Sequence, residues 1–197
     1  MANATMDAPG GAYPVQLAIP RPDRQSRLLI FVKVILAIPH LLILYALNAV
    51  LSVVTFVAWF AILFTKTYPN GLFKFAVGVE RWRYNVGAYI FLLRDEYPPF
   101  SMDAGDYPVA FDIAYPAELS RWMIFIKWLL VIPNVIVLFV LLLCAWVTTT
   151  IAWFAILFTG TYPESLYKFA VGVMRWQARV NAYTNFMTDR YPPFSLD

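Results

Sequence analysis

Charge is scarce in this sequence. Only 14% of the 197 residues are Asp, Glu, Lys or Arg, whereas 61% are hydrophobic and 18% are aromatic. Soluble domains average about 25% charged residues and about 45–50% apolar ones. The composition therefore excludes an ordinary water-soluble enzyme and predicts an all-α membrane protein.

Cysteine and histidine are nearly absent as well. The single Cys144 excludes a disulfide framework and a cysteine-based metal site. The sequence also lacks paired carboxylates, a metal-binding His/Cys/carboxylate spacing, a Gly-x-Ser-x-Gly nucleophile elbow and a phosphate-binding glycine loop. We therefore expect no catalytic activity, no metal and no other cofactor.

Two long apolar runs dominate what is present. Residues 28–64 and 122–158 each form a run of 37 residues with one lysine near its start. Each run is too long for a single untilted span of about 20 residues. We expect each to form a hairpin of two short transmembrane helices, with the first turn at Asn48 and Ser52.

The basic residues support this topology. Hairpins would place all 15 Lys and Arg on one side of the membrane, which is the cytoplasmic side by the positive-inside rule. The protein is then multi-pass, and both termini are cytoplasmic. Two alternatives remain. Each run forms one long kinked helix, with the basic segment 66–94 outside, or a re-entrant wedge that does not reach the far side.

A tandem duplication organises the chain. Residues 13–103 align with residues 107–197 without a gap, with 47 identities in 91 positions. This alignment divides the chain into a disordered leader (1–12), a first membrane repeat (13–103), a linker (104–106) and a second membrane repeat (107–197). Such internal repeats determine the architecture of a protein.

Each repeat has three further parts besides its apolar run. A short segment with alternating hydrophobicity, residues 13–19 or 107–113, predicts a small cytoplasmic strand. A Thr-Tyr-Pro turn follows the apolar run and precedes a third helical segment, near residues 72–93 or 166–187. A Tyr-Pro-Pro-Phe-Ser tail closes the repeat, at residues 97–101 or 191–195.

The third segment has an apolar stripe. Apolar residues, among them Trp82 and Tyr89, recur every three or four positions, whereas Lys74 and Arg81 lie off the stripe. This pattern predicts an amphipathic helix in the membrane interface, with its basic side chains towards anionic lipid headgroups. The alternative is a third core helix packed on the hairpins.

The segment WFAILFTGTYPESLYKFAVGVMRWQARVNAY and the tail DRYPPFSLD resemble a family of bacterial membrane domains of unknown function, which commonly occur as tandem copies. The resemblance covers nearly all of the chain from Tyr13 onward. It implies the bacterial cytoplasmic (inner) membrane as the location. It implies no activity, cofactor or catalytic residue.

Three pairs of residues at equivalent repeat positions are candidate lipid- or partner-binding sites: Lys33 and Lys127, Arg81 and Arg175, Trp82 and Trp176. The lysines lie near one end of each apolar run, where their ammonium groups are expected to reach the headgroups by snorkelling. The arginines are suited to gripping phosphate. Alternatively, Arg81 and Arg175 pair with Asp95 and Asp189 and hold the third helix to the tail.

His40 is the single histidine and corresponds to Asn134 in the second repeat. A lone histidine in an apolar helix can ligate a haem or a pigment. A hydrogen bond between helices is the simpler role.

These features favour a non-catalytic accessory or structural subunit of a larger membrane complex, in contact with membrane lipids and other membrane subunits. The alternatives are a small oligomeric transporter or channel, and a membrane-shaping or lipid-organising protein. We expect no nucleic-acid binding, because the positive-inside rule already accounts for the basic residues.

Overall fold

The computed structural model of the protein describes residues 13–197, so the expected leader at 1–12 lies outside the described residues. This part of the chain forms five helices and two short strands. In chain order they are β1 (Val15–Ala18), α1 (Leu29–Thr65), α2 (Asn70–Ile90), β2 (Ala110–Ile113), α3 (Met123–Leu130), α4 (Ile132–Thr159) and α5 (Glu164–Thr184).

The prediction of two helical hairpins is wrong. The first apolar run is one continuous helix of 37 residues, α1. In the second run, α3 and α4 are separated only by Val131, two residues before Pro133. The polar residues expected at a turn are satisfied inside α1, because the Ser52 hydroxyl donates to the Asn48 carbonyl at 3.0 Å and Arg83 donates to the Asn48 side chain. The chain therefore needs no reversal at this point.

The long helix α1 buries only a narrow seam. Its buried residues follow spacings of three, four and seven positions, as in helices that pack side by side. They are Ile30, Lys33, Ala37, His40, Leu44, Leu51, Ala58 and Ile62. Helix α2 packs antiparallel along this seam, and α5 packs on α4 in the same way.

The third helix of each repeat is a core helix, so the prediction of a lipid-facing interfacial helix is wrong. The apolar stripe of α2 is buried against α1, including Trp82, Val86 and Tyr89. Its boundaries, Asn70–Ile90, lie close to the expected ones. Hydrophobic periodicity locates an apolar face but does not distinguish lipid from protein as its neighbour.

The two predicted strands pair with each other across the repeats. Strands β1 and β2 form an antiparallel two-stranded sheet in which Val15 is opposite Ile113 and Leu17 is opposite Phe111. Strand β1 of the first repeat packs on α5 of the second, and β2 packs on α2. Each repeat thus contributes a strand that covers the core helix of the other.

The elements form three layers. The sheet covers α2 and α5, which contact each other through Tyr84 and Asn181. Beneath them lie α1 and the α3–α4 pair, which run antiparallel and touch near both ends through Phe31 with Trp153 and Trp59 with Phe125. The sheet and the long helices are therefore on opposite sides of the central pair.

The layer of long helices carries most of the exposed apolar surface. Among the described residues, large exposed hydrophobic side chains crowd α1, α3 and α4, and neither α2 nor α5 has one. Two helices, Leu29–Thr65 and Ile132–Thr159, are long and apolar enough to cross a membrane. In the most apolar 18-residue stretch of each helix, only 17% and 22% of the stretch is buried, respectively.

Candidate functional site

Two buried lysines join the start of each long helix to the segment that follows the core helix. Lys33 is fully buried, and its ammonium donates to the Arg94 carbonyl and to Asp95 Oδ1, both at 2.7 Å. The second oxygen of Asp95 accepts the Ser26 backbone N–H at 2.6 Å. The ammonium also lies 5.1 Å from the centre of the Tyr89 ring.

The second repeat reproduces this arrangement. Lys127 donates to the Thr188 carbonyl and lies 2.7 Å from Asp189 Oδ1, with the Tyr183 ring 4.9 Å away. Neither lysine reaches solvent, so the prediction that they snorkel to the headgroups is wrong. Asp95 and Asp189 pair with these lysines rather than with Arg81 and Arg175.

His40 lies in an aromatic pocket with no exposed surface. Its Nδ1 accepts a hydrogen bond from Trp82 Nε1 at 3.0 Å, and its ring stacks on Phe100 with centroids 4.0 Å apart. Tyr97 closes the pocket at 4.9 Å. Haem or pigment ligation by His40 would require displacement of these rings, and the structure instead provides the expected hydrogen bond between helices.

Asn134 takes the same role in the second repeat. Its Oδ1 accepts a hydrogen bond from Trp176 Nε1 at 2.8 Å. Trp82 and Trp176 are both buried, so these two candidate binding residues act as donors inside the protein.

Arg81 and Arg175 hold the exchanged strands. Arg81 donates to the carbonyls of Phe111 at 3.1 Å and Met102 at 2.8 Å, and lies 3.7 Å from Asp112. Arg175 donates to the Leu17 carbonyl at 3.0 Å. Both guanidinium groups are part-buried. Nε and Nη1 of Arg81 donate to backbone carbonyls, whereas Arg175 donates to a carbonyl through Nε. A grip on lipid phosphate by these arginines stays a prediction.

Two related grooves flank these arginines on the polar side of the molecule, and Lys74 and Lys168 each line one of them. In the second groove Lys168 bonds to Glu164 at 2.6 Å, and this contact holds the pKa of that carboxyl below its ordinary value. The grooves are open surface features with mixed charge, and Arg81 and Arg175 each donate at least one hydrogen bond to a strand carbonyl beside them.

Sequence reasoning missed a polar cluster between the repeats. The Glu80 side chain is 1% exposed and accepts from Arg83, which also donates to Asn48. From the second repeat, Asn181 donates to Glu80 at 3.3 Å and to the Tyr84 hydroxyl at 3.0 Å. Asn185 completes the cluster with a further bond to Glu80 at 3.3 Å.

The signal that could have found this cluster is a break in the repeat. Its members correspond to different residues in the other copy, although most of the positions between Glu80 and Tyr89 that lie outside the cluster are identical in the two copies. The pairs are Asn48 with Leu142, Glu80 with Met174, Arg83 with Gln177, Tyr84 with Ala178, Gly87 with Asn181 and Phe91 with Asn185. A buried charge is stable only where it is paired and hydrogen-bonded, so Glu80 requires its partners at these positions.

Within residues 13–197 there is no group of three or more His, Cys, Asp or Glu side chains that could hold a metal ion. Cys144 is exposed on α4 and is free. The buried side chains of Lys33, Lys127 and Glu80 have partners inside the protein, whereas the buried Nε2 of His40 has no hydrogen-bond partner among the described residues.

The fold defines a duplicated helical protein with two apolar helices of membrane-spanning length. A family model described as a domain of unknown function (DUF4389) matches residues 27–102 and 121–195, and the chain belongs to this family. The two matches confirm the tandem repeat. No curated protein and no solved structure matches the chain.

Proposed function

We propose that this protein is a non-catalytic membrane subunit that inserts α1, α3 and α4 into the lipid bilayer and packs there against other membrane proteins. The observation that carries the proposal is the exposed surface of these helices. It is almost entirely aliphatic and aromatic, and the single charged residue in each long run, Lys33 or Lys127, is buried and paired. Water-exposed apolar patches of this extent mark membrane or protein contact sites.

The internal bonding supports a scaffold role. Lysines, arginines, tryptophans and the buried Glu80 are used to hold helices, strands and tails together. We infer that the protein presents a fixed apolar surface to its surroundings and performs no chemistry there. The bacterial inner membrane and a cytoplasmic location of both termini remain part of this proposal.

A lipid-organising role is the second candidate. It is favoured by the uneven distribution of the exposed apolar surface, because most large exposed hydrophobic side chains lie on α1, α3 and α4 and none lies on α2 or α5. Proteins that insert mainly into one leaflet have such a surface.

The test has two steps: carbonate extraction of native membranes that contain the protein, and then sizing of the protein after solubilisation. Resistance to carbonate at high pH would support insertion, and release into the soluble fraction would refute it. After solubilisation in a mild detergent, partners present at fixed ratio would support the subunit role. A homo-oligomer that carries only lipid would refute that role and favour the lipid-organising one.

A further inference from the structure

The long helices do not match the thickness of a bilayer. Helix α1 has 37 residues and is therefore about 55 Å long. To fit a hydrocarbon core of about 30 Å, such a helix would have to tilt by roughly 55–60°, whereas transmembrane helices tilt by about 0–40°. The exposed apolar side chains nevertheless extend from Leu28 to Phe64, over its whole length.

The layers formed by α2 and the two-stranded sheet lie level with the middle of α1. Arg83 of α2 donates to Asn48, which is 19 residues from one end of α1 and 17 from the other. Arg81, two residues earlier on α2 and so only about 3 Å away along the helix axis, contacts Phe111 and Asp112 of β2. The sheet therefore sits beside the midpoint of the long helix rather than beyond one of its ends.

If α1 crossed the bilayer, the sheet would consequently lie inside the hydrocarbon region. The Asp112 side chain is 79% exposed, and a carboxylate near the centre of a bilayer is strongly disfavoured. Each strand of the two-stranded sheet also has one edge without a strand partner, and such edges do not occur in lipid, where backbone groups have no water to bond.

We propose that α1, α3 and α4 lie in the plane of the membrane, inserted into a single leaflet, with α2, α5 and the sheet above them on the aqueous side. The inference rests on the membrane insertion put forward under Proposed function. A helix is about 10–12 Å wide with its side chains and fits within half of a hydrocarbon core, about 15 Å.

This orientation agrees with the distribution of polar and apolar side chains on the helices. Interfacial helices ordinarily have a polar face of their own, which α1 lacks. Here α2, α5 and the sheet supply the polar side, because they pack on the buried seams of the long helices. The arrangement also leaves every Lys and Arg on one side of the membrane without any chain reversal inside the apolar runs.

The orientation can be tested by counting labels on single molecules. In a Cys144→Ser background, Arg24→Cys and Thr67→Cys place two exposed cysteines just outside opposite ends of α1. The full-length double variant is reconstituted into vesicles of phosphatidylcholine with phosphatidylglycerol, floated on a density gradient, and treated with a membrane-impermeant polyethylene glycol maleimide. Each label gives one gel shift.

In-plane insertion predicts molecules with either two labels or none, whichever way they were reconstituted. A transmembrane α1 predicts one label on every molecule and would overturn the proposal. Detergent should then give two labels on all molecules in either case. Failure of the protein to float with the vesicles would refute membrane insertion itself, which separates that failure from a wrong orientation.

A second double variant tests the orientation away from the ends of α1, where local unfolding could expose a cysteine to the label. Asp112→Cys lies on the sheet, level with the middle of α1. Combined with Arg24→Cys, it should be labelled together with that site in the in-plane orientation. Protection of Asp112→Cys until detergent is added, on molecules whose Arg24→Cys is already labelled, would place the sheet inside the bilayer and contradict the proposal.

Discussion

Leu17 and Phe111 lie directly opposite each other in the two-stranded sheet, and they occupy equivalent positions in the two repeats. A pair of equivalent residues that face each other marks an axis of approximate twofold symmetry. The contacts of Phe31 with Trp153 and of Phe125 with Trp59 obey the same symmetry. The repeats are therefore joined as two subunits of a symmetric dimer would be, through exchanged strands.

The strand exchange can be checked by a disulfide. Gln16 is opposite Asp112 in the register, and both are exposed. Opposite Cα atoms in an antiparallel pair are about 4.5–5.5 Å apart, within the range that a disulfide requires. We expect Gln16→Cys/Asp112→Cys, in a Cys144→Ser background, to form an intramolecular disulfide on mild oxidation. Altered mobility on a non-reducing gel would report it, and disulfide-linked dimers alone would contradict the pairing.

The buried lysine pairs should contribute strongly to stability. Asp95→Ala leaves Lys33 buried with a carbonyl as its remaining partner, and breaking a buried ion pair typically costs about 3–5 kcal/mol. Because the Asp95 side chain is 23% exposed, we expect a value near the lower limit, about 3 kcal/mol. Thermal unfolding in a mild detergent, followed by tryptophan fluorescence, measures the change.

Two controls belong with this measurement. Glu164→Ala removes an exposed partner of Lys168 and should leave the unfolding temperature unchanged. Lys33→Met together with Asp95→Ala removes both charges and should recover much of the lost stability. An Asp95→Ala variant as stable as the wild type would show that the pair is dispensable.

The bond between His40 and Trp82 predicts unequal effects of two conservative changes. His40→Asn reproduces the residue of the second repeat, where the amide oxygen accepts the same bond from Trp176, and should change stability little. Trp82→Phe leaves the buried Nδ1 of His40 without a donor, which costs about 1–3 kcal/mol. Equal losses in the two variants would contradict this interpretation. An absorption band of a bound haem that disappears in His40→Asn would contradict the structural role of His40.

The polar cluster predicts compensation between neighbours. Arg83→Gln leaves the buried Glu80 without its cation and should destabilise the protein by about 3 kcal/mol. Adding Glu80→Met gives both positions the residues of the second repeat, Met174 and Gln177, and should recover most of the loss. A double-mutant cycle measured by thermal unfolding tests this coupling. Additive losses would show that the two side chains act independently.

Two glycines permit close contact between the core helices and the tails. A Cβ added at Gly172 would lie 2.8 Å from the carbonyl oxygen and the Cβ of Leu196, and one at Gly78 would lie 2.8 Å from Met102 Cβ. Gly172→Ala should therefore loosen the tail and destabilise the protein by about 1–3 kcal/mol. Gly71→Ala has open space around it and is the matched control. Limited proteolysis after residue 186 should accelerate only in Gly172→Ala.

The sequence by itself determined the strands and the core helices α2 and α5 of this fold. Alternation of apolar residues predicted strands that the structure places at 15–18 and 110–113, and the Thr-Tyr-Pro motif predicted the break before α2. The apolar stripe and its period predicted the extent of α2 within three residues. These features depend on local propensity and on spacing along the chain, which are properties of the sequence alone.

The tertiary structure decided what each element contacts. The hairpin prediction failed because Asn48 and Ser52 find partners within α1 and on α2, which cannot be seen from one apolar run. Lys33 was expected at the headgroups because its partner, Asp95, lies 62 residues away. Glu80 was overlooked because its partners Asn181 and Asn185 come from the other repeat. Burial and pairing are set by distant segments, so only the folded chain reveals which charges are inside and which apolar side chains stay exposed.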